Sequence, residues 1–179
     1  GHRLSQGNDV DHLERGCRQL EIGQDDFLAL VRLVKKTKMF SSVPDKVIGE
    51  IGKRFELWEF DSGVPMITQG QRGEAYFILY HGQAAVWARQ GMLKGLHEVA
   101  RLDVGHVFGE TSILLDAPAN ATVKGIGDVK VFVVSRSLVE YVMEKNPTFA
   151  RELEETVTLR CMDESVRKTV ESSGLPLGE

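Results

Sequence analysis

Between Phe55 and Val134 clusters of turn-forming residues cut the chain into short runs of strand character, and no other property restricts the fold so tightly. The first run alternates, with Phe55, Leu57 and Glu59 on one side and Glu56, Trp58 and Phe60 on the other, the period of a pleated strand. Further runs follow at Val64 to Thr68, Ala75 to Tyr80, Gln83 to Arg89, Leu96 to Leu102, Val107-Phe108, Asn120 to Ile126 and Val129 to Val134. Between them stand Asp61-Ser62-Gly63, Gly70 to Gly73, His81-Gly82, Gly91 to Gly95, Asp103-Val104-Gly105 and Gly127-Asp128, residue types that favour turns. About eight short strands at this spacing predict an antiparallel sandwich or small barrel.

The stretch from Val107 to Val123, VFGETSILLDAPANATV, interrupts that rhythm. A strand ends at Val107-Phe108, Gly109 lets the backbone turn, and Glu110 to Leu115 carries apolar residues at helical spacing. Asp116, Ala117 and Pro118 close this short helix, and the chain returns as a strand from Asn120. The backbone N–H groups around Thr111 and Ser112 have no acceptor one turn earlier, and helix starts carry about half a positive charge. Strand, turn and helix start together form a cradle for a small phosphate or for hydroxyl groups.

Helices are predicted on both sides of the strands. Asp25-Asp26 precede Phe27, Leu28, Leu30, Val31 and Val34, with Lys35, Lys36 and Lys38 at the far end, so the charges complement a helix dipole. Pro44 in a first turn opens a second helix with Val47, Ile48 and Ile51, which Gly52 and Lys53 end. Ser135 caps a third through Leu138, Val139, Val142 and Met143, broken at Asn146-Pro147. A fourth starts at Thr148 with a partial apolar stripe of Phe149, Leu153, Val157, Cys161 and Val166. Further upstream, Leu4 to Gln24 is polar, with a loose helix expected over Val10 to Leu20.

Composition removes several function classes. Lysine plus arginine number 22 against 26 acids, a net charge of −4 without the basic stripe that nucleic-acid phosphates require. No apolar run is long enough to cross a bilayer. Cys17 and Cys161 lie far apart without CxxC spacing, which suits a cytoplasmic location and excludes the usual zinc signatures. His81, His97 and His106 lack ligand spacing, so turn or surface roles are expected and no metal is assigned. Ser112 sits in Glu-Thr-Ser-Ile rather than GxSxG, and no acid/base pair emerges, so no enzyme is expected. Trp58 and Trp87 are read as barrel packing.

Two separated stretches resemble the cyclic-nucleotide-binding domain, the family shared by regulatory subunits of cAMP-dependent kinase, cyclic-nucleotide-gated channels and the catabolite activator protein. Ile67 to Leu79, ITQGQRGEAYFIL, followed by His81-Gly82-Gln83, is similar to its strand-turn-strand signature. The stretch from Val107 to Val123 is similar to its phosphate-binding cassette, Phe-Gly-Glu, a short helix, then Pro-Arg-x-Ala-Thr-Val. The resemblance covers Met39 to Cys161. It implies a mainly β fold with flanking helices (α+β), an eight-stranded antiparallel β-roll or jelly roll with N-terminal helices, a short cassette helix and two C-terminal helices.

Carried over residue by residue, the resemblance makes Glu110 the acceptor for a ribose 2′-hydroxyl, and Gly109 the point where the sugar approaches the backbone. It makes the amides of Ser112 and Asn120 donors to phosphate. Phe108, Thr111, Ala119, Ala121 and Thr122 complete the expected ligand-binding set. The family's arginine, which pairs with the cyclic phosphate, is replaced by Ala119. A charged hydrogen bond of that type contributes about 1.5–3 kcal/mol, so cyclic-nucleotide affinity should fall by about tenfold to a hundredfold or more. Lys124 and Arg101 are the nearest candidates in sequence for a substitute cation. The expected ligand is cAMP or cGMP, or a nucleoside, which would keep the Glu110 bond and need no cation; no cofactor is expected.

The organisation expected is an N-terminal extension over 1–24, a helical segment over 25–54, the β-roll over 55–134 with its cassette at 107–123, hinge and lid helices over 135–172, and a tail over 173–179. Ligand in the cradle would pull the short helix inward and move the helix from Ser135 to Lys145 about a hinge near Asn146-Pro147. The alternative is a domain that binds no ligand and serves as a scaffold for protein contacts. An output domain or partner chain outside this sequence is expected, and the last helix is either a lid or a surface for a partner, including a second copy in a homodimer.

Overall fold

The computed structural model describes residues 16–89 and 95–155. In chain order it forms β1 (Cys17–Leu20), α1 (Gln24–Lys36), α2 (Asp45–Ile51) with a tight turn over Gly52–Arg54, β2 (Glu56–Phe60), β3 (Pro65–Ile67), β4 (Ala75–Arg89), β5 (Leu96–Leu102), β6 (Val107–Phe108), α3 (Glu110–Leu115), β7 (Thr122–Ser135), α4 (Arg136–Lys145) and a final helix, α5, over 147–155. All strand pairs are antiparallel; the main path runs β1-β2-β7-β4-β5, with β3 paired to β7 and β6 to β4. The mainly β architecture with flanking helices is as the sequence predicts.

Strand alternation divides the interior into two layers. Leu57, Tyr76, Ile78, Phe132 and Val134 face the helices and pack with Leu30, Val34, Phe40, Ile48, Leu138, Val142 and Phe149. Their neighbours Trp58, Phe77, Leu79, Val131 and Val133 face the inside of the roll, with Phe108 and Val123. Both faces of the central strands are therefore buried, and a one-residue slip would exchange the two layers. The register Leu57↔Phe132↔Ile78 runs straight across β2, β7 and β4.

Four expectations need correction. Ala75–Tyr80 and Gln83–Arg89 are one strand, β4, and the two runs on either side of Gly127-Asp128 are likewise one strand, β7, so the described residues form seven strands. His81-Gly82 and Gly127-Asp128 bend the paired strands without ending them. Gly82 adopts φ +91° and Gly127 φ +76°, β4 is irregular between Leu79 and Gln83, and a Cβ on Gly82 would lie 2.8 Å from the Asp128 carbonyl oxygen. Facing glycines let two hydrogen-bonded strands kink together, which turns a sheet into a roll.

The second correction is Cys17–Leu20, which is a strand paired with β2 rather than the end of a helix. Arg18 holds that register, donating from Nε to Glu59 (2.8 Å) and from Nη2 to Asp61 (3.2 Å). Third, Pro44 precedes the first turn of α2 as its cap. Fourth, β7 begins at Thr122, leaving Asn120 and Ala121 in the loop.

The C-terminal side agrees with the sequence. The Ser135 hydroxyl accepts from the Leu138 amide (3.2 Å), and the Asn146 side chain caps α5 by accepting from the Phe149 amide (3.1 Å). Phe149 and Leu153 are buried, whereas Val157, Cys161, Val166, the tail and any dimer-forming surface on them lie outside the described residues, as do the start of the Val10–Leu20 helix and most of the Gly91–Gly95 turn.

Candidate functional site

Phe108 sits on β6 opposite Phe77 of β4, the two rings stacked 5.1 Å apart and 10° from parallel. The next residue, Gly109, turns at φ +88°, where a Cβ would lie 2.8 Å from Ile67 Cδ1 and 3.2 Å from the Ala75 carbonyl oxygen. Only glycine fits that approach, and it sets α3 against the start of β4. At the far end of α3 Asp116 is left-handed at φ +50°, a conformation aspartate tolerates better than most residues.

The loop after α3 is fixed on both edges. The Ala119 amide donates to the Gln71 carbonyl (2.8 Å), and the Gly70 amide donates to the Ala119 carbonyl (2.8 Å). Arg72 pairs with Asp116, and Arg72 and Pro118 form a bridge. Arg136, the first residue of α4, holds the helix itself: Nη1 donates to the Ile113 carbonyl (3.2 Å) and Nη2 to that of Ser112 (3.4 Å), and the guanidinium lies 3.5 Å from Asp116 and 3.4 Å from Glu74. The Ser135 cap is legible in the sequence and the reach of Arg136 is not, because nothing in the spacing of a polar helix start indicates what its first side chain touches.

Between this loop and the inside of the roll lies a cavity of about 230 Å³. Of the expected residues, Phe108, Gly109, Glu110, Ser112, Ala119, Asn120 and Ala121 line it. Ile67, Val86, Leu102, Val107 and Val123 complete the wall. Val86 and Val123 were within reach of sequence reasoning, as inward positions of alternating strands; Ile67 and Leu102 depend on the closure of the roll.

Thr122 is not among the described residues that line the cavity, and the Thr111 side chain lies outside the described residues. The Thr122 hydroxyl accepts from the Gln69 amide (2.9 Å), which secures the β3 end of the loop. Neither sequence-nominated cation lines the cavity. Lys124 Nζ lies over the Trp87 ring, 5.5 Å from its centre, and Arg101 pairs with Glu98 at 3.1 Å. Strand alternation is the reason for the lysine, since Lys124 follows the inward Val123. Trp58 is buried inside the roll, as expected. His106 has a turn role, its Nδ1 accepting from the Asp103 amide (2.7 Å).

Glu110 is the one ionisable residue among the described residues that line the cavity. Close to it, the Tyr76 phenol is fully buried, and burial first, then the Glu110 charge, hold its pKa well above the usual tyrosine value. The site is thus an apolar pocket with one carboxylate, one exposed carboxamide from Asn120 and the start of a short helix.

The profile of the cyclic nucleotide-binding domain matches residues 57–146, half of the chain. The chain belongs to the cyclic nucleotide-binding domain family. That family is one of regulatory, ligand-binding domains, and the match spans β2 to the end of α4.

Solved structures share the fold at low identity. A cyclic nucleotide-binding domain from Methylobacillus flagellatus is 17% identical, with 100% of this chain and 98% of that one covered and a TM-score of 0.70. The regulatory domain of Toxoplasma gondii PKA, solved with cAMP, is 18% identical over 76% of this chain, with a TM-score of 0.65. This chain spans 50% of the Toxoplasma protein's length. The regulatory subunit of a cAMP-independent protein kinase A from Trypanosoma brucei is 18% identical over 68% of this chain and 43% of that one, with a TM-score of 0.60. Among the described residues no helix is long and apolar enough to cross a membrane.

Proposed function

We propose that this cyclic nucleotide-binding domain is a sensor whose cavity takes a ribose-bearing ligand, and that an uncharged nucleoside is preferred over cAMP or cGMP. One observation carries this: Ala119 stands at the family's arginine position, and among the described residues the cavity lining includes Glu110 and no lysine or arginine. A sugar diol donates to the carboxylate whatever else the ligand bears. A cyclic phosphate adds a second negative charge in a partly dry site, and two unit charges about 6 Å apart at an effective dielectric of about 20 repel by roughly 3 kcal/mol. Asn120 offers both a donor and an acceptor to the ligand, and the amides of Ser112 and Asn120 offer donors.

The cavity volume, about 230 Å³, is slightly below the usual ~300–1,000 Å³ of small-molecule pockets and suits a compact ligand. Arg136 supplies the route for output. It ties two carbonyls of α3 to the first residue of α4, so inward movement of α3 on ligand binding would be passed to α4 and to α5 across Asn146-Pro147. What α5 then acts on would be an output domain or a partner chain.

A melting series tests this. Ligand at a hundred times its dissociation constant adds about 2.7 kcal/mol, roughly 5–10 °C for a domain of this size. Adenosine or guanosine should raise the melting temperature more than cAMP or cGMP at equal concentration, and Glu110→Ala should abolish the shift. No shift with any of the four would favour the scaffold alternative, in which the cassette only shapes a surface.

A further inference from the structure

Tyr76 is fully buried, and its hydroxyl has no hydrogen-bond partner among the described residues. The phenol of Tyr80, by contrast, donates to Asp26 (2.9 Å). Phe40, Phe55, Phe132 and Phe149 fill the neighbouring places in the cluster around Tyr76, so packing alone does not call for a hydroxyl there. The two neighbours of Tyr76 on β4 touch the residues that lead into α3. The Ala75 carbonyl oxygen lies 3.2 Å from where a Cβ on Gly109 would stand, and the Phe77 ring stacks on Phe108 at 5.1 Å. The Tyr76 side chain itself, on the other face of β4, packs in one cluster with Ile113, which follows Glu110 by three residues on the same side of α3. Glu110 lines the cavity and keeps one carboxylate oxygen, Oε2, out of solvent. A buried phenol and a buried carboxylate oxygen thus lie on the same side of the start of α3, and the Glu110 charge reaches the phenol.

The ring is the fixed member of this pair. It stacks on Phe40 with centres 6.0 Å apart and planes 24° from parallel, and Phe40 stacks in turn on Phe149 of α5 at 5.2 Å. A buried, stacked ring does not turn to follow a partner, whereas a glutamate side chain has several torsions on which to turn. We propose that Tyr76 is a positioning residue for Glu110: when a ribose diol enters the cavity, the Tyr76 phenol donates to the carboxylate oxygen turned away from the ligand and holds the other toward the diol. A carboxylate has lone pairs for about four donors, enough for the phenol and two ligand hydroxyls together. Binding thereby satisfies a buried hydroxyl that the ligand-free fold leaves unpaired, and part of the affinity comes from that relief. This role deepens the ligand reading given above and rests on it.

Tyrosine labelled with carbon-13 at Cζ gives one NMR signal each for Tyr76, Tyr80 and Tyr141, and Tyr76→Phe assigns the first by its loss. In the ligand-free protein Glu110→Gln should move the Tyr76 signal and leave the other two in place. Saturating adenosine or guanosine should move it downfield in the parent, as donation to a carboxylate does. By calorimetry Tyr76→Phe should bind the nucleoside about tenfold more weakly, the loss of one charge-assisted hydrogen bond, although the ligand-free variant melts higher than the parent. A merely structural role would leave affinity unchanged or move it together with stability. Three results would overturn the proposal: a Tyr76 signal unmoved by Glu110→Gln, a signal unmoved by a nucleoside that binds, or a folded Tyr76→Phe that binds as tightly as the parent. Binding in the parent that Tyr76→Phe leaves intact removes only the role of Tyr76 and keeps the ligand reading. If the parent binds neither nucleosides nor cyclic nucleotides, the ligand reading fails on that result, and the positioning role falls with it even where Glu110→Gln moves the Tyr76 signal.

Discussion

Replacing Ala119 with arginine puts back the charge that the cavity lacks, and the surroundings let its effect be worked out. The backbone at this position is held on both sides, by the Ala119 amide on Gln71 and the Gly70 amide on the Ala119 carbonyl, each at 2.8 Å. A side chain added here therefore leaves from a fixed point on the cavity wall, with Glu110 as the other charged group among the described residues of that wall. A guanidinium–phosphate bond contributes about 1.5–3 kcal/mol, so the dissociation constant for cAMP or cGMP should fall by about 10- to 150-fold in Ala119→Arg. The new cation also competes for the Glu110 carboxylate, so adenosine and guanosine should bind the variant a few-fold more weakly than the parent. Isothermal titration of both proteins with the four ligands reads the two effects, and a melting curve confirms that the variant is folded. If a folded Ala119→Arg binds cyclic nucleotides no more tightly than the parent, the missing positive charge is not what limits them, and the electrostatic argument fails.

Three further outcomes follow from particular contacts. Gly109→Ala forces a side chain into a left-handed position 2.8 Å from Ile67 Cδ1 and should cost about 2–4 kcal/mol by chemical denaturation; an unchanged midpoint would refute the close approach. Arg136→Gln should lower stability by about 1–2 kcal/mol, mainly through the bonds to the Ser112 and Ile113 carbonyls, since the partners Glu74 and Asp116 are largely exposed; an unchanged melting temperature would mean that α3 does not depend on it. Tyr76→Phe removes a buried hydroxyl with no protein hydrogen-bond partner among the described residues, and should raise stability by about 1 kcal/mol or more. The folded state keeps this phenol neutral, with its pKa raised, so above about pH 10 the unfolded chain ionises first and stability falls as pH climbs. The parent should lose stability more steeply than Tyr76→Phe above about pH 10, and parallel pH profiles would refute the assignment.

The helices were legible because their signals are local: Asp25-Asp26 and Lys35-Lys36 at the two ends of α1, and the Ser135 hydroxyl at the start of α4. The cassette was legible because Gly109 and the apolar spacing of α3 sit together in sequence. What failed was non-local. Gly82 and Gly127 carry turn chemistry, yet whether a positive φ ends a strand or bends it depends on a paired neighbour bending at the same level, which pairing alone decides. Cys17–Leu20 has no strong strand signal, and it is β2 that makes it a strand, through backbone pairing and the reach of Arg18 to Glu59 and Asp61. Thr122 carries a hydroxyl in a ligand-binding loop, and only closure of the roll shows that the Gln69 amide uses it.

The most direct measurement is calorimetric titration of the unmodified protein with two matched pairs, adenosine with cAMP and guanosine with cGMP, in one buffer. A cavity whose described lining has Glu110, with Ala119 in the arginine position, should bind at least one nucleoside more tightly than its cyclic phosphate, with the heat lost in Glu110→Ala. Tighter binding of the cyclic phosphate in both pairs would contradict that.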